Sequence, residues 1–194
     1  CHTSGACISI PKTIGFMNAS SASFAPTQPT QSFSNHGIKY QLTSLADLSE
    51  AVSPDHVAIK YVHKGGFRCR LNHYHFSLRE GQYLLSNPGQ TFVLANKEGD
   101  DHSEILQIEI PVKNLRKFIE QSQANHPEWS FDAFLDRKDK LSFCEGTYLA
   151  TEDELGKQLL NLAGTLATPA QSKIENQDLI QILDALVTSQ HKIF

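Results

Sequence analysis

Long apolar runs, an excess of positive charge and paired cysteines are all missing from this chain of 194 residues. No stretch approaches the ~18 consecutive apolar residues that a membrane-spanning helix requires, so no such helix is expected. Seventeen Lys and Arg stand against 21 Asp and Glu, a net charge of -4. That excludes a chain that grips nucleic acid by its own charge, because phosphate binding needs clustered cations. The short basic groups Lys113/Arg116/Lys117 and Arg137/Lys138/Lys140 are mixed with acids and read as solvated faces. Four cysteines, Cys1, Cys7, Cys69 and Cys144, make no C-x-x-C pair, which fits a reducing cytoplasm better than a disulfide scaffold. A glycine-rich phosphate loop, a G-x-S-x-G elbow, an H-E-x-x-H helix and repeats of ~20 to 50 residues are likewise absent. No cofactor is called for.

Charge is also missing locally, since Thr13 to Ile38 holds no Asp, Glu, Lys or Arg. The run "NASSASFAPTQPTQSFSN" inside it is rich in Ser, Ala, Thr, Gln and Pro and reads as a flexible lead-in. Met17 is the single methionine and opens that run. The expectation is a natural start there, with residues 1–16 lying upstream of it. "CHTSGACISIPKTIGF" lacks the basic start and long apolar core of a secretory signal. Three regions follow: a flexible segment over 1–37, a β-rich region over 38–112 and a helical region over 113–194.

The β-rich region is read from two-residue alternation. "VAIKYVH", "GFRCRL", "HFSL", "QYLLS", "TFVLA" and "EILQIEI" are short runs of Val, Ile, Phe, Tyr and Leu separated by Gly, Asn, Pro and charged turn residues. So many strands at close spacing imply an antiparallel barrel or sandwich. After Ile110 the period lengthens. Pro111 suits the first turn of a helix through "VKNLRKFIEQSQ", with "SFDAFL" as a further helical turn and "LSFCEGTYLA" open between strand and loop. Thr151 with Glu154 forms a capping-box pattern that opens a helix carrying Leu155, Leu159, Leu162 and Leu166 on one face. Beyond "TPAQS", Leu179, Ile182, Leu183, Leu186 and Val187 make a second stripe, so an α-helical hairpin is expected. The fold class is α+β, mainly β with C-terminal helices.

One cluster raises metal chemistry. His73 and His75 are two apart, as residues on one side of a strand are, and Glu80 follows; two imidazoles and a carboxylate suit a divalent first-row metal. The spacing resembles the first motif of metal-binding cupins, whose further histidine comes from a later strand, where His102 is available. The rival reading is a hairpin. "LNHYHF" reverses the chain between "FRCRL" and "FSLREGQYLL", which puts His73 in a turn and Glu80 at the next corner beside Gly81. The hairpin reading is preferred, and the metal set His73, His75 and Glu80 is kept as its alternative.

Leu78, Gly81, Leu84, Leu85, Pro88 and Gly89, followed by a strand through Ile108 and Ile110 into Pro111 and a helix, form a turn pattern that resembles the cupin-like N-terminal domain of AraC-family transcription regulators. The resemblance covers Val57 to Gln121 and, in outline, the helices from Thr151 to Gln190. It implies a cupin-like antiparallel β-barrel or sandwich that binds a small-molecule effector, C-terminal helices that make a homodimer, and DNA contacts through a helix-turn-helix domain outside these residues. It implies a sensor rather than an enzyme. Strand alternation nominates Tyr61, His63, Phe67, Cys69, Tyr83 and Phe92 as effector-binding, with Arg68 or Arg70 receiving a carboxylate if the barrel face is reversed. Leu155, Leu159, Leu162 and Leu166 are the expected dimer stripe. The alternatives are a metal-dependent cupin enzyme and a stand-alone small-molecule-binding cupin.

Overall fold

The computed structural model of the chain describes residues 31–32, 37–44, 47–96, 103–168 and 174–192. The strands are β1 (Gln31–Ser32), β2 (Lys39–Ser44), β3 (Asp47–Ala51), β4 (His56–Lys64), β5 (Gly66–Leu71), β6 (Tyr74–Arg79), β7 (Gln82–Ser86), β8 (Thr91–Asn96), β9 (Glu104–Pro111) and β10 (Gly146–Leu149). They form a six-stranded sheet in the order β1-β2-β9-β4-β7-β10 and a four-stranded sheet in the order β3-β8-β5-β6. Each ladder between neighbours is antiparallel. The expected antiparallel sandwich is therefore present. β1 lies within the stretch read as a flexible lead-in, where Gln31 pairs with Tyr40; Met17 and residues 1–30 lie outside the described residues.

Local chemistry places the corners. Gly81 and Gly89 both have φ 78, a left-handed conformation that costs glycine little, and they turn β6 into β7 and β7 into β8. The β5–β6 hairpin turns at Asn72, φ 54, and His73; asparagine tolerates the left-handed region better than most residues. His73 thus lies in the hairpin turn as expected, whereas Tyr74 and His75 already belong to β6.

Helix α1 (Val112–Ser122) leaves β9 through Pro111 and buries Leu115, Phe118 and Ile119. A short 3₁₀ turn follows at Phe131–Phe134. Helices α2 (Glu154–Ala167) and α3 (Asn176–His191) close the chain. The start of α2 departs from expectation. Its cap is Asp153, whose carboxylate accepts from Gly156 N at 2.6 Å, rather than Thr151. The reason is tertiary: Asp153 also accepts from the buried Tyr83 hydroxyl at 2.6 Å, which anchors the helix start to β7. The break at "TPAQS" falls mostly outside the described residues.

The six-stranded sheet is covered on both faces. Helices pack on one side, where Tyr40, Val57, Ile59, Tyr61, Tyr83 and Ile108 join the apolar faces of α1, α2 and α3 in one core. The four-stranded sheet covers the other side, and its own outer face meets solvent. That asymmetry explains why β4 is buried over six consecutive residues, whereas β5 alternates between buried and exposed. Leu155, Leu159, Leu162 and Leu166 are at most 4% exposed and belong to the helix–sheet core. The stripe expected at a dimer face is therefore consumed within the chain, because the sheet presents an apolar surface large enough to cover it. Among the described residues, no helix is long and apolar enough to cross a membrane.

Candidate functional site between the sheets

The face of the six-stranded sheet turned toward the smaller sheet is unusual for a sandwich interior. Alternation sends Leu106, Ile108 and Ile110 of β9 to the helices and leaves Gln107 and Glu109 on the inner side. In β4 it sends Ile59 and Tyr61 to the helices and leaves Ala58, Lys60 and Val62 inside. The inner sides of β2 and β7 add Gln41, Thr43, Leu84 and Ser86 by the same rule. The ladders put Gln41 opposite Gln107 and Gln107 opposite Lys60, so three polar side chains run across three strands in one row.

Lys60 is the centre of that row. It is 1% exposed, its Nζ donates to Gln107 Oε1, and it lies 4.7 Å from the centroid of the Phe92 ring on the facing sheet. A cation over an aromatic face in a desolvated setting is held by the ring quadrupole. Two hydroxyls flank the Lys60–Gln107 pair. Thr43 is opposite Ile105, diagonal to Gln107, and Ser86 is opposite Ala58, diagonal to Lys60. Diagonal neighbours in a sheet are about 7–8 Å apart. Thr43 is 5% exposed and Ser86 is 0% exposed, and neither hydroxyl has a hydrogen-bond partner among the described residues.

The opposite wall is apolar. Phe67, Cys69 and Leu71 of β5, Leu78 of β6 and Phe92 and Leu94 of β8 are buried together. Burial pushes the Cys69 thiol up to about 12, so it stays protonated and is a weak nucleophile near neutral pH. The interior between the sheets thus has one wall of amides, hydroxyls and an amine, and one wall of rings and aliphatic groups.

The six residues nominated from sequence divide between the two sides of the large sheet. Phe67, Cys69 and Phe92 belong to the core between the two sheets. Tyr61 and Tyr83 point the other way, into the helix-covered core. Burial and then the Glu80 charge raise Tyr61, while burial, followed by the hydrogen bond to Asp153, raises Tyr83 strongly. His63 sits at the β4 bulge between Val62 and Lys64, with Nε2 3.9 Å from Glu104 Oε2. Arg68 and Arg70 are exposed on the outer face, opposite Ser77 and His75, so the reversed face that would offer them to a carboxylate is not adopted. Sequence reasoning passed over Lys60, Gln107, Gln41, Thr43 and Ser86. One signal was available: in "VAIKYVH", a single lysine interrupts an otherwise apolar central strand.

The alternative metal set does not come together. His73 lies in the turn before β6 and Glu80 in the turn after it, and seven residues of extended chain span roughly 23 Å. All three side chains, including His75, are exposed. Among the described residues, no group of three or more His, Cys, Asp or Glu is placed to hold a metal ion. The expected later ligand, His102, lies outside the described residues. These residues do not fit a shared metal.

No protein-family model matches the sequence, and no curated protein matches it. Solved structures do show partial likeness. The chain is similar to BH2720 from Bacillus halodurans, with 17% identity over 40% of this chain and 64% of that one, at a TM-score of 0.36. It is similar to a cupin 2 conserved barrel domain protein from Leptotrichia buccalis, with 13% identity over 39% of this chain and 36% of that one, at a TM-score of 0.34. It is also similar to KdgF from Halomonas sp., with 16% identity over 43% of this chain and 77% of that one, at a TM-score of 0.37. The first two matches span less than two thirds of the other chain. The double antiparallel sheet that the sequence resemblance implies is present in the fold itself, whereas nothing in these comparisons supports its AraC-family half. The expectation that the chain is not an enzyme is corrected: an absence of catalysis does not follow from this fold.

Proposed function

We propose that this chain is a small-molecule-binding, cupin-like domain whose ligand lies between the two sheets. The observation that carries this reading is the polar inner face of the large sheet. Two hydroxyls without partners among the described residues and a lysine–glutamine pair are buried opposite an apolar wall. A sandwich that served only as a scaffold would be more stable with apolar groups at those positions, because each buried unsatisfied hydroxyl costs about 1–3 kcal/mol. Phe67, Cys69 and Phe92 supply the apolar contact in this reading.

Ligand-detected NMR of a fragment library tests it. Ser86→Leu and Thr43→Val fill or depolarise the space from opposite ends. Fragments that bind the wild type should be lost from Ser86→Leu while its thermal midpoint is retained. Equal binding to both proteins would remove the ligand from between the sheets.

Within this reading, the narrower proposal is the effector-sensing domain of a cytoplasmic AraC-family regulator, contacting DNA through a separate domain. Its support is the turn pattern at Gly81 and Pro88-Gly89 and the exit of β9 through Pro111 into α1. A stand-alone binding cupin is equally consistent with the fold. Coding sequence beyond Phe194 separates the two: helix-turn-helix units directly downstream favour the regulator, and a stop codon there sinks it.

A further inference from the structure

Resting on the proposal that the ligand lies between the sheets, we infer that it is an uncharged molecule with hydroxyl, carbonyl or amide groups along one edge and an apolar face on the other. The lysine in the space is already engaged by its own chain: its Nζ donates to Gln107 Oε1 and lies over the Phe92 ring. Gln107 thereby uses its carbonyl oxygen on Lys60 and retains an amide NH₂ as a donor. The acid on the same face, Glu109, stands opposite Lys39 in register. The Lys60 charge on this wall is therefore met from within the chain, and a ligand is not required to neutralise it.

The groups left for a ligand are the Thr43 and Ser86 hydroxyls, both more than nine-tenths buried and without partners among the described residues. A hydroxyl offers one donor and two acceptor sites without net charge, so its best complement is a group that also offers both. The two hydroxyls sit diagonally on opposite sides of the Lys60–Gln107 pair, so a molecule of a few rings or fewer can reach the pair and one hydroxyl together. Across the space, Phe67, Leu94 and Phe92 offer no hydrogen bonds, and the Cys69 thiol among them stays protonated. A carboxylate in this space would lose its hydration against that wall, at a cost far above that of an alcohol or amide.

The test uses three matched probes: benzamide, benzyl alcohol and benzoate, each titrated into the full chain and followed by ligand-detected NMR. The inference expects the two uncharged probes to bind at least ten times more tightly than benzoate. Thr43→Val or Ser86→Ala should weaken at least one uncharged probe about fivefold. Benzoate binding most tightly, with that binding lost in Lys60→Met, would overturn the inference and leave the intersheet site standing. If no probe binds, or binding survives Ser86→Leu unchanged, both the inference and the reading beneath it fail.

Discussion

At the scale of single residues, two glycines of one helix are predicted to behave oppositely. A Cβ on Gly156 would stand 2.2 Å from Ala150 Cα and 2.4 Å from its carbonyl oxygen, a backbone clash that no rotamer relieves. Gly156→Ala should cost about 3 kcal/mol. Gly164 is exposed, in the same helix, with nothing within 4 Å of a new Cβ. Gly164→Ala should add about 0.5–1 kcal/mol by reducing the freedom of the unfolded chain. Urea denaturation of both variants checks the pair, and a gain in both would mean that α2 does not sit tightly on Ala150. Tyr83 carries the next prediction. Its buried hydroxyl donates to Asp153, which simultaneously caps α2 through Gly156 N. Tyr83→Phe should cost about 2 kcal/mol, as expected for a hydrogen bond to a carboxylate. The same denaturation midpoint reads it, with an unchanged midpoint excluding a role for that bond.

At the scale of elements, the segment between the 3₁₀ turn and α2 is held to the large sheet by side-chain clasps as well as by the short ladder of β10 on β7. Asn87 donates through Nδ2 to Phe143 O at 2.9 Å and accepts through Oδ1 from Phe143 N at 2.8 Å. Its own backbone N donates to Glu145 Oε1 at 2.7 Å, and Gln190 of α3 accepts from Cys144 N at 2.7 Å. Phe143 is 3% exposed, so Asn87→Ala would leave two backbone groups buried without their partner. The expected cost is about 2–3 kcal/mol. Amide hydrogen exchange should quicken at Phe143 and across Gly146–Leu149 while β9 keeps its protection; uniform protection would show that the ladder alone holds the segment. None of these clasps was legible in sequence, where "LSFCEGTYLA" stayed ambiguous. Each joins residues dozens of positions apart, and no local period records such a pairing. α2 shows the same limit. Its stripe was readable, but its cap was assigned to Thr151, because Tyr83, which makes Asp153 the better cap, is seventy positions away.

At the scale of the whole molecule, buried acids set the alkaline limit of stability. Burial raises Tyr40 from 10.0 to about 12 and Cys69 from 9.0 to about 12, and it leads the rise of Tyr148 from 10.0 to about 12. Tyr61 and Tyr83 are raised as well. In each case the folded form keeps its proton where the unfolded chain has begun to lose it. The unfolded state then binds fewer protons, so stability falls as pH rises. The loss should begin near pH 9, as the unfolded thiol titrates, steepen above 10 and continue toward 12. The urea midpoint measured from pH 8 to 11 checks this, and a flat profile would contradict burial of these groups. At the acidic end, Asp55 is lowered chiefly by Ser53, Asp136 by the Lys140 backbone N–H, and Glu128 by its own backbone N–H. Their contribution is present above the ordinary carboxylate range and is lost as pH falls through it, weakly, because all three are fully exposed.

What the amino-acid sequence determined by itself was local: six strands from their alternation, three helical segments from their stripes, and the corners at His73, Gly81 and Gly89. These follow from steric preference and periodicity, which act over a few residues. Tertiary structure decided which side of each strand is interior to what. A period of two assigns Tyr61 and Lys60 to opposite faces but is symmetric about which face meets helices and which meets a second sheet. The covering of the large sheet by α1, α2 and α3 broke that symmetry. It sent Tyr61, Tyr83 and the leucines of α2 into a structural core, and it left Lys60, Gln107, Thr43 and Ser86 on the side of the smaller sheet, where a ligand is proposed.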